Sequence, residues 1–325
     1  MTELLRQYTE LLNKELTKFE FGKHPKELYE PIRYIMDLGG KRMRPILALL
    51  AYKLFRDDVA SILRPALAVE VFHNFTLMHD DIMDNAPLRR GQATVHEKWN
   101  NNVAILSGDT MLVKAYDLLL EVPGEKLPGI IRSFNQCAVE VCEGQQIDMN
   151  FEKVDAVTEA DYIEMIRLKT AVLLGFSLEL GAVLGNASAH DAQLLKGFGE
   201  NIGIGFQLKD DLLDVYGDQA KFGKQVGGDI IANKKTFLLI QALRTSTGDD
   251  KRQLENWLMM KDFDTDEKVE AVKGIYDRNG IRELTDQKMN DYFRLALKQL
   301  SDLSLPDSRK QTIKDFADYL IAREN

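Results

Sequence analysis

Apolar side chains recur every three to four positions through long stretches of this chain, and no stretch sustains an apolar–polar alternation of period two. The first pattern marks amphipathic helices; the second would mark half-buried strands. The spacing predicts helices over 2–18, 25–37, 43–56, 60–83, 101–121, 128–150, 159–185, 189–216, 234–245, 250–260, 265–278, 280–303 and 306–323. Eight prolines in 325 residues and few β-branched clusters leave these runs intact. No composition break or Pro/Gly/Ser-rich linker interrupts them. The expected architecture is therefore all-α, a single large helical bundle forming one domain over residues 1–325.

Two of the apolar runs end in acid. The run AVEVFHNFTLM leads into HDDIMDNAPLRR, with Asp80 and Asp84 four apart. On a helix that spacing puts both carboxylates on one face, one turn apart, where like charges repel unless a cation sits between them. Hard oxygen ligands of this kind suit Mg²⁺, which commonly takes one or two protein carboxylates and completes its shell with water and phosphate. Arg89 and Arg90 follow, with guanidinium groups matched to phosphate oxygens. A single DDxxD is also compatible with a solvated helix end. A second copy, Asp210, Asp211 and Asp214 in FQLKDDLLD, ends another apolar run 130 positions later. Surface decoration does not account for both, and facing each other in one bundle they would hold several Mg²⁺ ions around one diphosphate.

Bulk properties narrow the function classes. The chain is 45% hydrophobic and 29% charged, as soluble globular proteins are. A net charge of −9 and a pI near 5.2 argue against nucleic-acid binding, so the basic residues that matter are local clusters. The two cysteines, Cys137 and Cys142, lie five apart on a helical run and point to different faces; they read as reduced thiols of a cytoplasmic protein. The N-terminal stretch is a mixed-charge amphipathic helix without a signal-peptide core, and no apolar run approaches the roughly 20 residues that span a bilayer.

Several cations stand in marked contexts. Lys41, Arg42 and Arg44 follow Gly39-Gly40 and precede Pro45 at a helix start, which makes either an anion pocket or an ordinary solvated loop. His73 lies on the apolar helix and reads equally as a core residue or a ligand. Lys169-Thr170 sits within MIRLKTAVLLGFSLELGAVLG, where a lysine must snorkel, pair or serve. Gln145 and Asp148 in EGQQID read as supporting rather than catalytic. The segment from Gly217 to Lys235 carries Gly223, Gly227 and Gly228 but no GxxxxGK[ST] phosphate loop. Phe75 and Thr76 lie five and four residues before Asp80, about 6–8 Å below it along the helix. With Phe72 they read either as core packing or as the wall of a tunnel.

In this order GGKRMRP, HDDIMDNAPLRRG, GDTM, EGQQID, RLKTA, FQLKDDLLD and GKQVGGDIIANKKT resemble the trans-isoprenyl diphosphate synthases, the polyprenyl synthetase family, over nearly the whole chain. The resemblance implies a helical bundle around a central cavity, the isoprenoid synthase class I fold. It implies head-to-tail condensation of isopentenyl diphosphate with an allylic diphosphate (dimethylallyl, geranyl or farnesyl). Asp80, Asp84 and Asp210 would hold about three Mg²⁺ ions. Lys41, Arg42, His73 and Arg90 would bind isopentenyl diphosphate, and Arg89, Lys169, Lys224 and Lys234 the allylic diphosphate. The adjacent Lys235 competes with Lys234 for that role. Thr170 and Gln207 would aim oxygen dipoles at the allylic carbon, and the released diphosphate would take the final proton. An aromatic at Phe75 and the short DDxxD form imply C15–C20 products. The C-terminal IAREN lacks the terminal basic run of some relatives. A homodimer is the usual assembly. The alternatives are a medium- or long-chain polyprenyl synthase, a class I terpene cyclase and a non-catalytic partner subunit.

Overall fold

A computed structural model describes residues 2–217 and 227–322. The described residues are overwhelmingly helical, and their only sheet pairs two residues with two. In chain order the helices are α1 (Thr2–Leu16), α2 (Lys26–Asp37), α3 (Met43–Lys53), α4 (Leu63–Met83), α5 (Val95–Lys98), α6 (Asn101–Leu119), α7 (Leu127–Phe151), α8 (Glu159–Ile166), α9 (Val172–Leu184) and α10 (Ala189–Tyr216). Further helices follow, at Gly228–Ile231, Phe237–Thr245, Gly248–Met259, Thr265–Arg278, Ile281–Ser301 and Asp307–Ala322.

The predicted helices recur with small shifts at their ends. The run expected to begin at 234 starts at Phe237, because Thr236 stands as its N-cap with its hydroxyl towards Leu239 N. Thr158 and Asp161 form a reciprocal capping box that starts α8. The run read as 159–185 is continuous, but residues Arg167–Ala171 wind as a π-turn between α8 and α9. After α4 the chain forms a hairpin with a two-residue connection, Leu88–Arg89 (β1) against Gln92–Ala93 (β2). Arg90 (φ 53°) and Gly91 (φ 75°) both lie in the left-handed region that such a tight connection needs. This hairpin and the four-residue helices are too short for periodicity to reveal.

The described residues cluster into two compact units. The first comprises residues 2–137, Leu173–Lys196 and Leu303–Ile313; the second comprises Ala138–Val172, the described part of Gly197–Asp302, and residues 314–322. In the first unit α4 is the central helix, buried along most of its 21 residues and packed against α3 and α6. Phe72 on α4, Phe134 on α7 and Phe176 on α9 stack in series at 5.1 and 5.5 Å between centroids. Gly181 on α9 lets that helix approach α3: a Cβ there would lie 2.0 Å from the Ala48 carbonyl oxygen and 2.9 Å from Tyr52 N. Backbone cannot yield as a side chain can. Gly181→Ala is therefore expected to cost about 1–3 kcal/mol by overpacking. Thermal unfolding checks this, and an unchanged midpoint would contradict the close approach.

In the second unit one apolar cluster joins Tyr162, Met165 and Ile166 of α8 to Ile204 and Leu208 of α10 and to Phe237 and Ile240. Another joins Leu212 and Val215 to Leu238, Leu254, Val272, Ile275 and Ile281. These clusters fix the C-terminal end of α10, where the second acidic motif lies. Among the described residues no helix is long and apolar enough to cross a membrane.

Candidate active site

The first acidic motif divides its three aspartates between two directions. Asp81 is buried and grips Arg89 of β1, with the guanidinium Nε and Nη2 donating to its carboxylate at 2.7–2.9 Å. Asp80 and Asp84 stay on the accessible side, one turn apart, and Asp84 caps the helix with its N–H on the Asp80 carbonyl at 2.8 Å. Carboxylates here repel each other and also meet the negative end of the helix dipole. A divalent cation would offset both penalties. Two hard carboxylates at an open helix end fit Mg²⁺. Among the described residues no group of three or more ligating side chains closes on one point. A Mg²⁺ that draws its remaining ligands from water and phosphate needs no such group.

Beside this helix end lies the predicted anion pocket. Gly39 (φ 77°), Gly40 (φ 140°) and Arg42 (φ 48°) put most of the Gly39–Arg42 loop in left-handed backbone. Arg90 donates to the Gly39 carbonyl, and a Cβ on Gly40 would meet its guanidinium at 2.9 Å, so glycine admits the arginine. The expectation for Arg42 needs correcting. Its left-handed backbone turns the side chain inward, leaving it 5% exposed. There it pairs with Glu70 at 2.7 Å and donates to the Met36 carbonyl at 2.8 Å and to Asn13 Oδ1 at 3.2 Å. A guanidinium so committed holds the loop to α4 and is not turned to a ligand.

The neighbouring cation Arg44 donates from Nη1 to His73 Nε2 at 3.0 Å, and its buried Nε has no partner. Burial pulls its pKa down to about 10, which leaves it charged at neutral pH. His73 is held well below the usual imidazole range, by burial first and then by Arg44, Arg90, Arg89 and Arg42. It is therefore the neutral tautomer with Nδ1 protonated, an acceptor that orients Arg44. An unpartnered buried guanidinium N–H beside several cations suits an anion. Sequence reading placed Lys41, Arg42 and Arg44 together in one basic run, and the family resemblance gave the ligand to Lys41 and Arg42 rather than to Arg44. The signal was Glu70, a lone acid in an apolar helix that had to claim one of these cations. Lys41 itself is exposed on the loop.

Below Asp80, Phe75 is buried with its ring against Phe72 at 5.6 Å and His79 at 4.8 Å. Thr76 donates its hydroxyl to the His73 carbonyl at 2.8 Å. Phe75 thus tops the series that runs through Phe72 and Phe134 to Phe176.

The second unit holds the other motif. Asp211 is buried; the Tyr162 hydroxyl and, at 3.2 Å, the Gln207 amide donate to it. Its carboxyl is pushed up to about 7, by burial first and by the nearby charge of Asp229 second. Gln207 therefore spends its NH2 on Asp211, and its amide oxygen is the end available to a ligand. Asp210 and Asp214 flank this buried acid on less buried positions. Asp214 accepts the Asp229 N–H at 2.9 Å, which ties the helix Gly228–Ile231 to the motif.

The lysines sort themselves by contact. Lys169, on the π-turn with Thr170, pairs with Asp148 at 2.6 Å. Lys235 is fixed on the Phe151 carbonyl at 2.6 Å, whereas Lys234 stands half exposed with its ammonium 3.8 Å from Asp229. Of the two, Lys234 is the one turned toward the acidic motif. The buried Lys268 clamps this turn by donating to Asn233 Oδ1 at 2.7 Å and to the Ile231 carbonyl at 3.3 Å. Lys224 lies outside the described residues.

Comparison with known proteins identifies the family. A family model described as polyprenyl synthetase matches residues 25–276. The chain is 35% identical to a geranylgeranyl pyrophosphate synthase of Geoglobus acetivorans, over 100% of both chains. It is 38% identical to a geranylgeranyl diphosphate synthase of Methanosarcina mazei, over 92% of this chain and 91% of that one. The crystal structure of geranylgeranyl pyrophosphate synthetase from Pyrococcus horikoshii superposes with a TM-score of 0.92 at 32% identity, over 99% of each chain. The fold is that of the isoprenoid synthases, and the chain belongs to the polyprenyl synthetase family.

Proposed function

We propose that the protein is a short-chain trans-prenyltransferase that joins isopentenyl diphosphate head-to-tail to an allylic diphosphate, with residues 1–325 acting as one catalytic domain. The observation that carries this reading is the helix end where Asp80 and Asp84 are left together while Asp81 is turned inward onto Arg89. Mg²⁺ bound by Asp80, Asp84 and Asp210, about three ions in all, would supply charge neutralisation on the leaving diphosphate. Lys169, Lys224 and Lys234, with Arg89, anchor that diphosphate. Arg44, Arg90 and Lys41 bind isopentenyl diphosphate, with neutral His73 orienting Arg44. Thr170 and the Gln207 amide oxygen face the allylic carbon and keep water from it. The diphosphate leaves with the C–O electron pair, the double bond of isopentenyl diphosphate closes the new C–C bond, and the departing diphosphate removes the proton.

Product length falls at C15–C20 in this reading, with the ring of Phe75 standing across the path of the growing chain. Phe75→Ala is expected to lengthen the major product by at least one five-carbon unit, and product sizing by chromatography reads it. An unchanged product distribution would leave Phe75 as core packing alone.

The assembly is a homodimer in the cytoplasm. Leu106, Val113 and Leu120, spaced by seven along and just past α6, are 60, 59 and 58% exposed and form an apolar stripe suited to a second copy. Incubation with isopentenyl diphosphate and each of dimethylallyl, geranyl and farnesyl diphosphates tests the reaction itself. Prenyl diphosphate formation that needs both substrates is the expected result. A hydrocarbon formed from the allylic diphosphate alone would identify a cyclase instead.

A further inference from the structure

Gln145, on α7, is 7% exposed, and neither its amide oxygen nor its amide nitrogen has a partner. Among the described residues it is the one side chain with two buried polar atoms that both lack a partner. A glutamine kept for packing would satisfy at least one end, because a buried polar group without a partner is destabilising. Its surroundings say what it faces. The preceding residue, Gly144, backs directly onto the π-turn: a Cβ there would lie 2.2 Å from Lys169 N and 2.7 Å from Lys169 Cα. Three residues on, Asp148 takes the Lys169 ammonium at 2.6 Å. Residues 145 and 148 share a helix face, so the Gln145 amide lies on the side of α7 that meets Lys169 and Thr170. π-turns of this kind are frequent at functional sites.

A carboxylate at position 145 would compete with Asp148 for Lys169, and a cation would oppose that lysine. A neutral amide does neither and offers a dipole at a buried position. We propose that Gln145 is a catalytic residue. Its amide oxygen faces the allylic carbon that becomes positive as the C–O bond breaks, and its NH2 faces an oxygen of the departing diphosphate. This rests on the prenyl-transfer reading above. The C–O electron pair still leaves with the diphosphate and the new C–C bond still draws its pair from isopentenyl diphosphate, so Gln145 exchanges no atoms. Its part is electrostatic and greatest at the transition state.

Gln145→Met, close in shape, removes the dipole, and Gln145→Leu is a second variant should methionine disturb the fold. The expected result is a fall in kcat of about 10²-fold, as for loss of one preorganised dipole. The KM for isopentenyl diphosphate should stay within about 2-fold and the thermal midpoint should be equal or higher, since an unsatisfied group has gone. An ammonium analogue of the allylic diphosphate, carrying positive charge where the cation forms, should lose about the same factor in affinity, and the uncharged substrate little. An unchanged kcat with a lowered midpoint would show a structural amide and overturn the inference. So would equal losses for the charged and uncharged ligands. A wild-type protein that turns over no allylic starter would overturn the prenyl-transfer reading itself, a separate outcome from a fully active Gln145→Met.

Discussion

Asp80→Ala is expected to lower prenyl transfer by about 10³-fold or more, equivalent to about 4 kcal/mol of lost transition-state stabilisation. The protein should stay folded. Asp80 sits at the C-terminal end of α4 with Asp84 one turn on, where two carboxylates repel each other and the helix dipole. Removing one relieves both terms, so stability should hold or rise by a few tenths of a kcal/mol. Asp81→Ala should behave oppositely, because that carboxylate is buried on Arg89 and its loss frees the hairpin. Steady-state kinetics and thermal unfolding together read the contrast. Near-normal turnover of Asp80→Ala would remove the cation from the site.

The second large effect concerns stability. Glu70 and Arg42 form an ion pair with side chains 3% and 4% exposed. Glu70→Ala would strand a buried guanidinium that keeps only the Met36 carbonyl and Asn13 as partners, and is expected to cost about 3–5 kcal/mol. Replacing both partners by apolar residues of similar size should recover most of that loss, since the desolvation of two charges disappears with them. Arg44→Ala should show the reverse profile. The KM for isopentenyl diphosphate should rise by about 10- to 100-fold, the worth of a charged hydrogen bond, with a smaller change in the thermal midpoint. Chemical denaturation of the first pair and kinetics of the second separate the cation that holds the loop from the one that holds the ligand. Equal loss of substrate affinity in Arg42 and Arg44 variants with unchanged stability would contradict that division.

Much of this molecule can be read from spacing. The helices at 189–216 and 265–278 begin and end where periodicity places them, because their apolar stripes are long and, for the latter, Asp264 supplies a cap. The paired DDxxD motifs are equally plain, as are Lys169 in its apolar surroundings and the loop of glycines before Lys41. What spacing cannot supply is direction. Arg42 and Arg44 are two apart in the same basic run, and only the left-handed φ of Arg42 turns it onto Glu70. Lys234 and Lys235 are neighbours of one chemistry, and spacing does not reveal that Lys235 is held on the Phe151 carbonyl, 84 positions back in the chain. The π-turn at Arg167–Ala171 continues a helical pattern without a break in periodicity. Gln145 read as supporting because nothing in EGQQID reveals that its amide finds no partner.

The claim on which the rest depends is that the two acidic motifs act, through Mg²⁺, on a single diphosphate. Mg²⁺-dependent binding of an allylic thiodiphosphate, a ligand slow to ionise, can be measured for wild type, Asp80→Ala, Asp210→Ala and the double variant. Groups that serve one ion cluster are not additive. The account predicts that each single variant loses most of the Mg²⁺-dependent affinity and that the double variant is little worse than either. Losses that multiply in the double variant, as for two independent sites, would contradict it.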